Sequence, residues 1–351
     1  METIKVGLVG FGISGQCFQA PIISDCPQYD LTAVVSSNEE KVKAQLPNAE
    51  VYPNLETMLE HADIELVVVS TPNHLHVPQA MASMQAGKHV VVEKPFSVSY
   101  QEGKALLDIQ ATSGMVLTVY QSRRFDGDFI TIKKLISEGK LEGIHTFYSS
   151  YNRYRPEVKV RWREQDVPGA GILYDLGAHL IDQSIALFGT PDEVTGILRN
   201  QRPGAVAVDH FHLVLHYPER EVIVHGNCLS TTEGPRFQIF ANNGSLIKYG
   251  MDSQEDFLRE KKGPSTPGWG SESEDLYGQY TDVNGVQSRV TTELGCYQNF
   301  YHQLANAIRH GHPEPVTAQE ALSVIAVIEA AYLSAKEKRR VKLQELLWLP
   351  I

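Results

Sequence analysis

GAGILYDLGAHLIDQSIALFG, residues 169–189, carries Asp175, His179 and Asp182. Spacings of four and three residues put all three on nearly the same face of a helix. Such a stripe can be no more than a solvated surface. Here Ile172, Leu176, Leu180 and Ile185 fill the neighbouring positions with apolar side chains, which points to a helix buried on several sides. A buried carboxylate and a buried imidazole satisfy one another. Histidine titrates near neutral pH and suits the task of taking a proton from a hydroxyl group, and Asp175 would orient its ring or hold a neighbouring hydroxyl. A second charged group stands in HVVVEKPFSV, residues 89–98, where three valines read as a strand buried on both faces that ends in Glu93, Lys94 and Pro95. Either that strand has reached solvent, or Lys94 stands at the carboxyl edge of a parallel sheet, where open α/β folds hold their ligands. In the second case its ammonium would polarise an alcohol oxygen, with the proline fixing the backbone that aims it.

A third constellation says what that alcohol would react with. GFGISG, residues 10–15, is G-x-G-x-x-G directly after a strand that begins at residue 4. A tight strand-to-helix turn can use glycine for its own sake. In this context Gly10 permits the turn, Gly12 lets the backbone approach a pyrophosphate and Gly15 allows close helix packing. Phe11, Ile13 and Ser14 then flank the anion, and the helix start offers its free N–H groups. At the end of the second strand an NAD site carries an acid for the ribose hydroxyls. Here AVVSSNEEK places Ser36 and Ser37 there, with Lys41 one helical turn on, and no carboxylate to repel a 2′-phosphate. That pattern favours NADP; Glu39, Glu40 and the missing arginine leave NAD possible. STPNHLH forms a polar turn over the same edge, with Ser70, Thr71, Pro72, Asn73 and His76 as capping or cofactor contacts, and Glu93 and Lys94 join them. The His-x-His pair lacks a third ligand or a nearby carboxylate, so no metal is expected. A hydride moved to or from a nicotinamide leaves a proton to be handled on the alcohol oxygen, which is the work assigned above to His179 and Lys94.

These groups need a scaffold that alternates strands and helices. IKVGLV, LTAVVS, ELVVVS, HVVVE and VLTVY read as strands separated by helical stretches. VPQAMASMQAG ends at Gly87, and SYQEGKALLDIQATSG opens on a capping box of Ser99 and Glu102. The expectation is an α/β chain: an N-terminal Rossmann domain with a doubly wound parallel sheet, residues 1–121, and an α+β domain, residues 122–351. In the second part DFITIKKLISEG reads as a helix, and IHTFYSSYNRY, HFHLVLHY, EVIVHGNCLST and RFQIFA as antiparallel strands with one face covered. Residues 260–290 read as a long irregular excursion, and the chain closes with two helices, the last opened by Thr317 and Glu320. No internal repeat or low-complexity tract is present.

The 351 residues suffice for two cores, and a net charge of −11 repels a phosphate backbone, so the expected partner is a small molecule and not nucleic acid. The densest basic stretches are NRYRPEVKVRWRE and AKEKRR, the latter suited to a solvated helix end. Cys17, Cys26, Cys228 and Cys296 lack CxxC spacing and read as reduced thiols. No apolar run approaches a membrane span. METIKVGLVG enters a strand at once, so no leader peptide is expected and a cytoplasmic location is the default expectation.

GFGISG, STPNHLH, EKP and GILYDLGAHLID, in that order, resemble the glucose–fructose oxidoreductase and inositol dehydrogenase (Gfo/Idh/MocA) family, and the resemblance covers essentially the whole chain. YQSRRFDGDFITIKKLISEGKL, SYNRYRPEV followed by RWRE, and IKYGMDSQEDFLR are most similar to its NADP-dependent scyllo-inositol dehydrogenase branch. The family implies a Rossmann domain followed by a domain built on a large, mostly antiparallel sheet, with the active site in the cleft between them. It implies that Lys94 and His179 act on the reacting hydroxyl, that Asp175 binds substrate or supports the histidine, and that the bond before Pro95 is cis. Trp162 and Arg163 match a pair that reaches the cofactor in related reductases, the alternative being a core tryptophan beside a surface arginine. Arg124 matches an arginine near the substrate. Homodimers formed by face-to-face sheets, or homotetramers, are the implied assemblies. The SSN segment departs from relatives that carry an acid or an arginine there, which bears on cofactor choice. The reading is an NADP-dependent oxidoreductase acting on a secondary alcohol of a cyclitol or sugar. The alternatives are a glycoside hydrolase that oxidises its sugar transiently with bound NAD, and a dinucleotide-binding sensor without catalysis.

Overall fold

A computed structural model describes residues 3–346, so Met1 and Glu2, on which the leader reading partly rests, lie outside the described residues. The chain forms two compact units, and they are not separated by one cut. The first runs up to Phe125 and takes back Ser253–Gly270 and Gly295–Leu322; the second holds Asp126–Asp252, Ser271–Leu294 and the chain from Ser323 onward. Residues 253–270 and 295–322, which the sequence pattern groups with the second domain, therefore pack with the first.

In the first unit six parallel strands, β1 (Ile4–Val9), β2 (Tyr29–Val35), β3 (Glu50–Tyr52), β4 (Leu66–Val69), β5 (His89–Glu93) and β6 (Leu117–Tyr120), lie in the order β3-β2-β1-β4-β5-β6. The order reverses between β1 and β4, the switch point at which such sheets hold ligands. Helices on both faces demand strands apolar on both sides, and Leu66–Val69 and Val90–Val92 are accordingly buried throughout. The strand β3 has only three residues and carries no such run. Helix Gln298–His310 from the returning segment buries Phe300, Tyr301 and Leu304, with Phe300 edge-on to Tyr120 at 4.9 Å between ring centres.

In the second unit nine strands make one mostly antiparallel sheet. They are β7 (Thr146–Asn152), β8 (Glu193–Arg199), β9 (His210–His216), β10 (Glu221–Asn227), β11 (Phe237–Ala241), β12 (Gly244–Lys248), β13 (Gly278–Asp282), β14 (Gln287–Val290) and β15 (Val341–Lys342). Their order is β14-β13-β12-β11-β7-β10-β9-β8-β15, with β7 and β10 parallel and every other pair antiparallel. Inward and outward residues alternate: Phe211, Leu213 and Leu215 are buried while His210, His212, Val214 and His216 are half-buried. Residues 260–290 are not irregular throughout, because β13 and β14 form a hairpin around Asn284-Gly285. The Asp282 carboxylate accepts the N–H groups of Asn284 and Val286, and Gly285 takes φ 79°.

Helix Ala318–Glu337, opened by the expected box in which Glu320 N donates to Thr317 Oγ1 and Thr317 N to the Glu320 carboxylate, corrects the expectation that no segment approaches a membrane span. It is long and apolar enough to cross one, yet it is mostly buried inside the protein, with Val324, Ile325, Val327, Ile328, Ala330 and Ala331 packed in the core. All four cysteines are free thiols, and burial, followed by the nearby Asp25 charge, pushes Cys26 up to about 12.

Helix Ala318–Glu337 also explains Gly196 in β8: a Cβ there would lie 2.6 Å from the Ala331 carbonyl oxygen, a backbone atom that cannot swing aside. Gly196→Ala is expected to destabilise the protein by about 1–3 kcal/mol, the usual cost of overpacking, seen as a lower urea midpoint. An unchanged midpoint would show that the strand and helix can part at no cost.

Candidate active site

The glycine loop leaves β1 at Gly10, whose φ of +94° and missing Cβ are both required, since that atom would lie 2.7 Å from Ser70 O. At Gly15 a Cβ would meet Gly10 O at 2.1 Å, so this residue lets the helix fold back onto the loop. At Gly12 a Cβ would meet no protein atom within 4 Å. The space above Gly12 is open on the ligand edge of the sheet, which fits the pyrophosphate expected there. Ile13, 69% exposed, opens the helix.

That helix is not regular. Ser14–Gln19 form a π turn before the α-helix Ala20–Asp25. Residues five apart lie about 140° apart around an α-helix, whereas a π turn brings them over one another. Here it lines up Ser14 and Gln19, and both donate to Oε1 of the buried Glu93, at 2.5 and 2.6 Å. Oε2 of the same carboxylate accepts the backbone N–H of Lys94 at 3.1 Å. Gln19 Oε1 in turn accepts the Tyr301 hydroxyl at 2.5 Å, and Tyr301 O accepts the Tyr29 hydroxyl at 2.7 Å. The Glu93 carboxylate, expected among the cofactor contacts, is thus engaged by the protein, as is the Ser14 hydroxyl. Gln19 and Tyr301 escape sequence reasoning. The only signal for Gln19 is its five-residue spacing from Ser14, which has no meaning unless a π turn is assumed.

The end of β2 and the loop come together. Asn38 caps the short helix Glu39–Lys43 by accepting from Lys41 N at 2.8 Å, and Asn38 N donates to Ser36 Oγ at 3.1 Å. Lys41 Nζ donates to Phe11 O at 3.2 Å and lies 5.9 Å from the centre of the Phe11 ring. Lys41 therefore borders the glycine loop at Phe11, with Ser36 and the exposed Ser37 at the end of β2 just before its helix.

In the β4 turn Ser70 and Asn73 are buried, Pro72 precedes the short turn Asn73–Leu75, and Thr71 Oγ1 donates to Gln79 at 2.7 Å. His76 is enclosed. Its Nδ1 lies 2.8 Å from Pro95 O and its Nε2 2.9 Å from Thr71 O. With a carbonyl at each ring nitrogen it ties the β4 turn to the turn after Lys94. Burial, opposed by the two carbonyls and by Glu93, holds its pKa below the usual value. The Lys94–Pro95 bond is cis, as the family resemblance implies. Arg124 donates to Glu320 Oε1 at 3.2 Å. Burial raises the Glu320 pKa, but Arg124 and the Thr317 hydrogen bonds outweigh it and keep the carboxyl below its ordinary range.

In the second unit the helix that carries the proposed acid and base contains another π turn, Leu173–Gly177, before the α-helical stretch Ala178–Phe188. Gly171 allows the approach, for a Cβ there would lie 2.9 Å from Val208 O. The π turn carries Asp175, and the α-helical stretch after it carries His179 and Asp182. The Asp175 side chain is 31% exposed, His179 is 8% exposed and Asp182 is fully buried. Asp175 is the most exposed of the three. Arg163 Nε lies 3.8 Å from Asp175 Oδ1, and the same guanidinium stacks 4.6 Å above the Trp162 ring centre. Of the two readings of that tryptophan, the core one fails, since Trp162 is only half-buried.

Comparison with known proteins agrees with both units. Residues 4–121 match the model described as "Oxidoreductase family, NAD-binding Rossmann fold", and residues 133–343 match "Oxidoreductase family, C-terminal alpha/beta domain". The chain is 45% identical to scyllo-inositol 2-dehydrogenase (NADP(+)) IolW of Bacillus subtilis, covering 98% of this chain and 97% of that protein. It is 27% identical to levoglucosan dehydrogenase of Pseudarthrobacter phenanthrenivorans over 58% of this chain and 56% of that one. The solved structure of YvaA from Bacillus subtilis superposes with a TM-score of 0.94 at 44% identity, covering 97% and 98% of the two chains. A parallel sheet ordered 3-2-1-4-5-6 behind a glycine cradle, a mostly antiparallel nine-stranded sheet, and matches over both halves lead to one conclusion: the chain belongs to the Gfo/Idh/MocA oxidoreductase family.

Proposed function

We propose that the protein is an NADP-dependent dehydrogenase acting on a secondary alcohol of a cyclitol or sugar, with scyllo-inositol and its ketone as the best candidates, and with NAD as a second possible cofactor. The observation that carries this reading is the 45% identity to an NADP-dependent scyllo-inositol dehydrogenase over nearly the full length of both chains. The open cradle over Gly12, and Ser36, Ser37 and Lys41 beside it, support the dinucleotide and its 2′-phosphate. Loop residues Gly10 to Gly15, the β4 turn and the Lys94 region would hold that cofactor, and Trp162 and Arg163 would complete its contacts. When bound it supplies a nicotinamide able to accept or donate a hydride.

The chain's own groups then handle the oxygen. His179 takes the proton from the reacting hydroxyl during oxidation and returns it during reduction, for which an imidazole on a rigid, largely buried helix is suited. Lys94 donates a hydrogen bond to the same oxygen and stabilises the negative charge that develops on it. Asp175, open enough to meet a ligand, accepts a neighbouring hydroxyl of the polyol, and Arg124 lines the substrate side. The partner of the chain in solution is a second copy, in a dimer or tetramer, through the outward face of the nine-stranded sheet. Along that face Ile197 is 44% exposed beside half-buried histidines and Tyr148.

A screen of inositols and aldoses with both cofactors, followed by absorbance of the reduced nicotinamide, is expected to give turnover with a cyclitol and NADP; no turnover with any polyol would overturn the reading. His179→Ala and Lys94→Ala are each expected to lower kcat by about 10² or more, the scale of losing general acid or base help, while His179→Ala leaves NADP affinity nearly unchanged in a fluorescence titration. Wild-type rates in either variant would remove that residue from the chemistry. Ser37→Asp is expected to shift the ratio of kcat/KM for NADP over NAD towards NAD by about tenfold or more, because a carboxylate repels the 2′-phosphate; a ratio that stays put would mean the phosphate lies elsewhere. Light scattering on the full chain is expected to give the mass of two or four copies, and the mass of a single chain would refute self-association.

A further inference from the structure

Residues 153–164, RYRPEVKVRWRE, are the most basic stretch of an acidic chain: Arg153, Arg155, Lys159, Arg161 and Arg163 against Glu157 and Glu164. The stretch has almost no secondary structure. One bridge joins Tyr154 to Leu229, Val160 is fully exposed, and a single turn forms at Trp162–Glu164. Backbone of this kind has little of its own to fix its position.

The first residues of the stretch are held by backbone hydrogen bonds, Arg153 N to Asn227 O at 2.9 Å, Arg155 N to Cys228 O at 2.7 Å and Ser230 N to Arg153 O at 3.1 Å; from Arg155 to Glu164 the hold comes from one side chain of the connection between β8 and β9. Arg202 donates through Nε to Asp209 Oδ2 at 2.9 Å, through Nη1 to the carbonyls of Glu157 at 3.1 Å and Arg155 at 3.4 Å, and through Nη2 to Glu164 Oε2 at 2.5 Å. Asp209 also accepts the backbone N–H groups of Gln201 and Arg202, at 2.6 and 2.9 Å, and Arg161 reaches the second Glu164 oxygen at 2.8 Å. The clasp is closed to water: the side chains of Arg202, Asp209 and Glu164 are 2%, 0% and 10% exposed. Burial acts to raise the Glu164 pKa, and the two arginines more than reverse it, so the carboxyl sits below its ordinary range. A fork of fixed donors, each with an acceptor, defines a geometry in a way that a lysine cannot.

Arg163 takes no part in the clasp but is the residue next to Glu164. It is 44% exposed, and a half-exposed ion pair such as Arg163 with Asp175 contributes too little to hold itself together. Its place beside Asp175 must be imposed from elsewhere. We propose that Arg202 is a positioning residue: by clasping Glu164 and the carbonyls of residues 155 and 157, it holds the basic strap so that Arg163 stays against Asp175, and so sets the charge and shape that the polyol meets. This rests on the reading of Asp175 as a substrate-binding group.

The test uses the full-length protein and two independent readouts. Glu164→Gln, at the rim of the clasp, keeps the shape and weakens the charge. Arg202→Met removes the fork but leaves Asp209 buried without it and puts folding itself at risk, so Glu164→Gln is decisive. Trypsin cutting after Lys159, Arg161 and Arg163 is expected to become about tenfold faster in Glu164→Gln with the thermal midpoint little changed, as for local rather than global opening. An unaltered cutting rate overturns the clasp. In a double-mutant cycle, Glu164→Gln is expected to lower kcat/KM for the polyol about tenfold when Arg163 is present and less than about twofold in an Arg163→Ala background. Equal losses in both backgrounds overturn the positioning role, because a merely structural clasp would not act through Arg163. Asp175→Asn with unchanged kcat/KM overturns the substrate reading, and the proposal with it, even where proteolysis shows the strap to be held.

Discussion

A carboxylate taken out of water must be surrounded by donors, and the first unit is organised around the one that is. Glu93 closes β5, and three donors converge on it: the Ser14 hydroxyl, the Gln19 amide and the backbone N–H of Lys94. The cost of burying its charge is met only while those three stay in place. One acid thereby sets the distance between the glycine loop on one side and the lysine on the other. The tie continues through Gln19 to Tyr301 and Tyr29, so the loop, the lysine and the returning helix are held by a single chain of hydrogen bonds. His76 adds a second tie, from the β4 turn to the carbonyl of Pro95. Ser14, His76 and Glu93, each read from the sequence as a ligand contact, all hold other parts of the chain in place.

Both candidate regions use the same irregularity. A π turn at Ser14–Gln19 follows the glycine loop, and another at Leu173–Gly177 precedes His179. An extra residue in a turn costs helix hydrogen-bond geometry and is retained where it aims something. In the first case it aligns Ser14 with Gln19 on Glu93. In the second it carries Asp175, whose side chain is 31% exposed beside Arg163, just ahead of the buried His179.

The parts of the molecule that are legible in the sequence are those in which one local rule decides the outcome. Strands β1, β2, β4, β5 and β6 show as apolar runs because parallel strands are covered on both faces, and β7, β9, β10 and β11 show as alternation because theirs are not. The helix stops at Gly87 and Gly114, both at positive φ, and the Thr317 box are readable from single residues. Strand β3 is not, since Glu50–Tyr52 is too short to carry a pattern. The β13–β14 hairpin lies in a polar stretch whose one signal, Asn284-Gly285, is equally at home in an irregular loop. Neither π turn is legible, because a single wide turn is too short to set a pattern of its own against the α-helical spacing that follows it. The return of residues 253–270 and 295–322 to the first unit is a matter of long-range packing that no local pattern records. The candidate site divides in the same way: Gly10, Gly12, Gly15, Lys94 and His179 stand out by type and place, whereas the partners of Glu93 and His76 appear only once the chain is folded.

The returning segment has a consequence for the order in which the protein can be made. Thr118 in β6 donates its hydroxyl to Val316 O at 2.7 Å, Tyr120 packs on Phe300, and Gln19 needs the hydroxyl of Tyr301. A nascent chain that has emerged only through β6 therefore has every strand of its parallel sheet and none of the helix that seals that edge. Domains that fold from one continuous segment can mature on the ribosome as they appear. This nucleotide lobe must wait, half-covered, until the chain up to Leu322 has been synthesised, which leaves that edge as the surface a chaperone would meet first.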